Sequence, residues 1–276
     1  MDSAHGQPRA PGRLGDPSMY LATDPRTHPS LVEKLRADKI EGSPTFVAAL
    51  SPDALLGEVA AFTRTVEDYL EEYYTNMDLS PMPGEGSHGP IIRTEETIPS
   101  SHSDASSSCT PRTMRLIIHR PDPATTPGPL HTIIYLHGGA MVMLSATNPL
   151  HTAWARSLAA TGLMVISPDF RNVLAPNGDL HPFPAGLDDC VAAVRWVAAH
   201  RKELGIGQNS KLILQGESGG ANLALATALR AHREGWLPGA VVEITHGYPW
   251  VLGTQTKWVP MGGPCQARVP MGNRKV

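Results

Sequence analysis

The chain has 276 residues, enough for one large α/β domain. Hydrophobic residues make up 41% and charged residues 18%, ordinary globular values, and a net charge of −3 argues against nucleic acid as a partner. No run reaches the roughly eighteen apolar residues of a membrane span, and the opening MDSAHGQPRAPGRLGD lacks the apolar core of a secretory signal.

Three well-separated cysteines, Cys109, Cys190 and Cys265, point to reduced thiols in a cytoplasmic setting, not to a disulfide framework or a zinc site. The histidines form no H-E-x-x-H pattern, so neither a metal nor a cofactor is expected. Residues 1–27 are polar and rich in Pro, Gly and Arg, and read as a disordered leader. An α/β domain is expected over 28–253, with a helical part over 28–88, and a disordered tail over 254–276.

A short helix is expected over Pro29–Asp38. A longer one is expected over Pro52–Tyr74, with Ser51 as N-cap and Pro52 at the first helical position. Its apolar residues Leu55, Val59, Phe62, Val66, Tyr69 and Tyr73 recur at three- and four-residue steps. That face is expected to bury on the core or on a cap and to do no chemistry. Ser80–Gly89 reads as a Pro/Gly loop, Ile91–Pro99 as an edge strand, and Ser100–Thr110 as a serine-rich surface turn.

Met114–His119 and His131–Leu136 read as strands separated by the proline-rich 121–129. The second runs into His137-Gly138-Gly139-Ala140. A helix over Pro149–Ala160 follows, with Leu150, Trp154 and Leu158 on one face and Gly162 as its stop. Leu163–Ser167 is the next buried strand. Asp169-Phe170-Arg171 follows, with Asp169 read as part of a structural ion pair. His181-Pro182 leads into a helix over Ala185–Leu204, with Leu187, Val191, Val194 and Ala198 inward and Gly205 as its stop. His181, Asp188 and Asp189 are read as structural. Strands alternating with helices indicate a mostly parallel sheet.

The stretch Lys211 to Leu225, KLILQGESGGANLAL, is the centre of the chain. An apolar strand, Lys211–Gln215, meets a G-x-S-x-G turn, Gly216-Glu217-Ser218-Gly219-Gly220, and then a helix over Ala221–Arg230 with Gly235 as its stop. Strand, glycine turn and helix are the setting of a nucleophile elbow, in which a strained turn exposes the serine hydroxyl. The glycines let strand and helix approach closely, and the helix N-terminus offers free N–H groups. An HGG turn after an upstream strand is the usual second half of an oxyanion hole. One more strand, Gly239–Thr245, is expected before His246-Gly247-Tyr248-Pro249-Trp250.

These residues resemble the hormone-sensitive-lipase-like branch of the α/β-hydrolases. The resemblance rests on His137-Gly138-Gly139, Asp169-Phe170-Arg171, the run HPFPAGLDD from His181 to Asp189, and Gly216–Asn222, within a span of about His28 to Val251. It implies an α/β-hydrolase fold, Ser218 as nucleophile, and the N–H groups of Gly138, Gly139 and Gly219 as oxyanion hole. It also implies a small-molecule ester as substrate and places the helix over Pro52–Tyr74 in a cap. It implies an aromatic–arginine brace beside the oxyanion hole as well. The family shows a further glycine where this chain has Ala140, a mild departure as far as volume goes, since alanine adds only a methyl.

A serine hydrolase needs a base and an acid, in this fold in the order serine, acid, histidine. After Ser218 there is no aspartate; the carboxylates are Glu234 and Glu243, and the histidines His232 and His246. His246, at a strand end, is the one half-plausible base, but no acid follows it; the loops in which the resemblance places the acid and base, with the last strands and helices of the fold, are expected to be missing. The segment 254–276 carries four basic residues, no acid, and the repeat VPMG. It reads as a tail from an altered reading frame or as a basic interaction tail. Three readings stay open: an esterase by family, impaired in this chain; a ligand-holding member without turnover, as in the family's gibberellin receptors; and a truncated product without function. An open sheet edge after Gly239–Thr245 is expected to favour self-association.

Overall fold

A computed structural model describes residues 16, 19–37, 51, 53–79, 88–100, 112–236 and 241–242. The turns expected over 80–89 and 100–110 lie largely outside these residues. So do Cys109, Cys265, Glu243, His246 and the 254–276 tail. The chain divides into two compact units, residues 1–59 and 60–276. The first contains a 3-10 turn, Leu21–Thr23, and helix α1, Pro29–Ala37, whose Leu35 is buried.

Helix α2 spans Leu56–Asn76, and its start differs from the expected one. Ser51 forms a turn, its hydroxyl accepting from Asp53 N and its carbonyl from Ala54 N. The helix begins four residues after Pro52, where the Glu58 carboxylate accepts from Leu55 N at 2.7 Å. A glutamate reaching back to an orphan N–H at the first turn is one half of a capping box, and it outweighs the serine signal. The apolar stripe is covered only in part: Phe62, Val66 and Tyr73 are half-buried. Leu55, Leu56, Val59 and Tyr69 are exposed, and the helix buries only Thr63.

The second unit is a six-stranded mixed sheet in the order β1-β2-β4-β3-β5-β6. Its strands are β1 Ile91–Pro99, β2 Thr113–Pro121, β3 Thr132–Leu136, β4 Met164–Pro168, β5 Leu212–Gly216 and β6 Val241–Val242. The first two are antiparallel additions; β4, β3, β5 and β6 run parallel. Among the described residues, three helices flank the sheet: α3 Pro149–Ala159, α4 Ala185–Ala199 and α5 Gly219–Arg233. The expected stops Gly162, Gly205 and Gly235 all have positive φ, at 92°, 74° and 72°. Helix α4 ends earlier than expected, at Ala199, and reaches Gly205 through turns.

Strand alternation sorts the core into two layers. Ile134 and Leu136, Met164 and Ile166, Leu212 and Leu214 face Cys190, Val194 and Val197 of α4 and Leu223 and Ala224 of α5. Ile133, Tyr135 and Val165 face Ala155 and Ala159 of α3 on the other side. The fully buried face of α3 is His151, Ala155, Ser157 and Ala159, a rotation from the expected stripe. Small residues let the helix sit close, leaving Trp154 and Leu158 half-buried at its flanks.

The parallel register pairs Leu136 with Gly216. It ends β3 and β5 at one level, so both glycine turns leave the sheet side by side. The bond from Glu217 N to Leu136 O, 3.2 Å, continues the ladder one step beyond the strand.

Candidate active site

Close approach explains the glycines of the elbow. A Cβ on Gly216 would lie 2.2 Å from Gly220 O, and one on Gly220 would lie 2.1 Å from Leu136 O. Ser218 sits between them at φ 49°, ψ −116°. A non-glycine residue held there costs about 1–3 kcal/mol, so its surroundings must determine it. Gly220 N donates to Glu217 O at 2.7 Å, and Ala221 N and Asn222 N donate to Ser218 O. Ser218 is the N-cap of α5, yet its side chain makes no capping bond. Ser218 as a residue is half-buried.

The HGGA turn is folded as tightly. Gly139 has φ 107°, and a Cβ there would meet Met143 O at 2.1 Å. Its carbonyl accepts from Val142 N and Met143 N. Ala140, Met141 and Leu144 follow with φ of 55°, 64° and 67°. The departure at Ala140 therefore has a conformational cost besides its volume, because an L-residue in the left-handed region is disfavoured by roughly 1–2 kcal/mol.

The two turns touch. A Cβ on Gly219 would stand 2.7 Å from Met141 N and 2.9 Å from Ala140 Cα, and one on Gly138 would stand 3.5 Å from Glu217 O. The structure thus places Ser218 and Gly219 beside the turn that holds Gly138 and Gly139. Asn222 Nδ2 adds a 3.5 Å contact to Met141 Sδ.

Side chains outside the two turns hold them. His137 stacks on Phe170 with ring centroids 4.2 Å apart and meets His151 in a tilted contact at 5.2 Å. Burial, helped by neighbouring His151, lowers its pKa to about 3, so the ring is neutral. Its Nδ1 lies 2.7 Å from Gly138 O. A carbonyl can only accept, so Nδ1 carries the proton. The trans peptide then points Gly139 N–H away from the His137 ring.

Phe170 and Asp169 touch this turn and the loop after it, and Arg171 ties the run to α4. Asp169 binds Arg115 at 2.6 Å and accepts from Ala146 N at 3.1 Å, a structural ion pair. Arg171 makes a bidentate pair with buried Asp189 at 2.8 and 3.0 Å, and Ser100 donates to the same carboxylate. Breaking one partner of such a buried pair costs about 3–5 kcal/mol. Asp188 is tied to Arg230. His181 joins the loop through its backbone N–H to Val173 O.

Several residues at the site carry no sequence signal. Tyr135, buried in β3, donates its hydroxyl to Glu217 at 2.9 Å, so the residue before Ser218 is tied to the neighbouring strand. Burial, then the Glu217 charge, raises the phenol pKa well above its usual value. Glu67 of α2 accepts from Leu144 N at 2.7 Å, and Asn172 Nδ2 donates to Leu144 O at 2.6 Å.

Among the described residues, no histidine is hydrogen-bonded to the Ser218 hydroxyl. His137 is bound to Gly138 O and His151 to Ser145 O. His232 lies fourteen positions along α5, about 20 Å away at 1.5 Å per residue. Glu234 is held by Arg195, Arg230 and Trp236. Among the described residues, no group of three His, Cys, Asp or Glu lies together as a metal site, and no helix is long and apolar enough to cross a membrane.

Comparison with known proteins places these observations. A family model described as the alpha/beta hydrolase fold matches residues 133–262. The solved structure of brefeldin A esterase, a bacterial homologue of human hormone-sensitive lipase, superposes with a TM-score of 0.71 at 35% identity. That match covers 84% of this chain and 59% of the esterase. Carboxylesterase NlhH of Mycobacterium tuberculosis is 38% identical over 111 residues, 40% of this chain and 32% of its own length. Tuliposide A-converting enzyme 2 of Tulipa gesneriana is 30% identical over 134 residues, 46% of this chain and 32% of its own. The matched regions span about a third of the length of these two relatives.

Proposed function

We propose that this chain, which belongs to the hormone-sensitive-lipase-like branch of the α/β-hydrolases, carries a site for carboxylic-ester hydrolysis with Ser218 as nucleophile. The supporting observation is the contact between the strained Ser218–Gly219 elbow and the Gly139–Met141 turn. In this reading Ser218 Oγ bonds to the carbonyl carbon of a small or medium acyl ester, and the carbonyl electron pair moves onto oxygen. The N–H groups of Gly138, Gly139 and Gly219 receive that oxyanion. Each preorganised donor of this kind contributes about 3 kcal/mol to lowering the barrier. Collapse of the intermediate expels the alcohol and leaves an acyl-serine for water to release.

Both steps need a group that takes and returns a proton. No described histidine is hydrogen-bonded to Ser218, so turnover by the 276-residue chain is impaired in this account. The same observation favours a second reading, a scaffold that holds an ester or acid without hydrolysing it. Beyond β6 no further strand is described, and association through that edge belongs to the same account. Comparing hydrolysis of p-nitrophenyl butyrate by the chain and by Ser218→Ala tests the proposal: equal, slight rates support impairment, and strong Ser218-dependent turnover refutes it.

A further inference from the structure

The oxyanion turn carries more strain than its own bonds explain. Ala140, Met141 and Leu144 are three non-glycine residues at positive φ within five positions. Inside the turn, Gly139 O takes two N–H groups. The remaining hold comes from outside. Val173 N donates to Met141 O, Asp169 accepts from Ala146 N, and Asn172 donates to Leu144 O. The fourth anchor differs in origin. Glu67 accepts from Leu144 N across 77 positions of sequence, from a helix whose only buried residue is Thr63.

Leu144 is buried, with 6% of its surface exposed, so its amide has little water to fall back on. A buried N–H without a partner is costly, and a carboxylate acceptor makes a stronger bond than a neutral one. Leu144 is thereby clamped on both backbone groups, its N–H by Glu67 and its carbonyl by Asn172. Met143, one residue earlier, donates its N–H to Gly139 O, and its own carbonyl lies where a Cβ on Gly139 would stand.

We propose that Glu67 is a positioning residue for the oxyanion turn: helix α2 fastens Leu144 by its amide and so sets the N–H groups of Gly138 and Gly139. The inference rests on the ester-hydrolase reading for its functional meaning, but its physical content stands on the Glu67–Leu144 bond alone. Helix α2 is thus linked to the Leu144 backbone by a direct hydrogen bond from Glu67.

Residue-resolved amide hydrogen exchange tests it, with sodium butyrate as a probe for the hole. In Glu67→Ala the Leu144 amide is expected to exchange at least tenfold faster, with amides of β3 and α5 unchanged. Glu67→Gln keeps an acceptor and is expected to restore most of the protection. Butyrate is expected to shift the Gly139 and Gly219 amides in the unsubstituted chain and in Glu67→Gln, and at least tenfold more weakly in Glu67→Ala. Unchanged Leu144 exchange, or uniform acceleration throughout the sheet, would overturn the proposal. So would equal butyrate affinity in all three forms. Failure of butyrate to bind the unsubstituted chain would instead count against the oxyanion hole, and Leu144 exchange alone would then decide the role of Glu67.

Discussion

A Cβ on Gly219 would lie 2.7 Å from the backbone N of Met141, so the residue after Ser218 and the Gly138–Met141 turn are in contact with no room for a side chain. The obstructing atom is backbone within a strained turn and cannot rotate away. We expect Gly219→Ala to push the two turns apart and to destabilise the chain by about 1–3 kcal/mol, the usual range for overpacking. Urea unfolding measures it; a midpoint equal to that of the unsubstituted chain contradicts the tight contact.

Ala140 gives the opposite case. Its φ is 55° and it is exposed, so its methyl has strain and little packing. Ala140→Gly relieves the strain while loosening the unfolded chain, and a net gain below about 1 kcal/mol is expected. Ala140→Val puts a β-branched residue in the same backbone and should lower Tm clearly. Equal Tm values for the two variants would show that residue 140 is not left-handed.

Much of this was legible because glycine and strand patterns constrain the backbone directly. Ile91–Pro99 forms as expected, and the strands leading to His137 and Gly216 differ from expectation by about one residue. Side-chain anchoring was not legible. Glu67 is one carboxylate among several on a polar helix, and nothing in its spacing marks it as the partner of Leu144 N. Tyr135 reads as core, and only the parallel register of β3 and β5 brings its hydroxyl to Glu217. The face of α3 was misjudged because large apolar residues were given the inner positions, whereas the close sheet contact admits alanine and serine.

Two buried histidines make stability sensitive to acid. Burial first, then Arg93 and Arg156, lowers the pKa of His119 to about 4, and neither ring nitrogen has a hydrogen-bond partner among the described residues. His137 is lowered to about 3. A depressed histidine favours the neutral folded state. Its stabilising effect is complete above the unfolded pKa of about 6.5 and declines as pH falls towards the folded value. Each contributes a slope of roughly 1.4 kcal/mol per pH unit within that window. His119→Leu should therefore flatten the loss of stability between pH 6.5 and 5 by about that slope. Parallel urea midpoint profiles for both forms would contradict it.

The β6 side of the sheet has no further strand among the described residues. An apolar strand edge left open tends to pair with another chain. We expect concentration-dependent association in size-exclusion chromatography. A single monomer peak across a hundredfold dilution, with a cooperative thermal transition, would contradict it.

Hydrolysis of p-nitrophenyl butyrate by the 276-residue chain and by Ser218→Ala tests the central claim most directly. In a serine protease, removing the base costs about a millionfold in kcat and leaves roughly 10³–10⁴-fold over water. With no described histidine on Ser218, we predict slight and equal activity in both forms, above buffer through the oxyanion turn alone. Robust turnover that disappears in Ser218→Ala would contradict this account, because it would require a base engaged with Ser218.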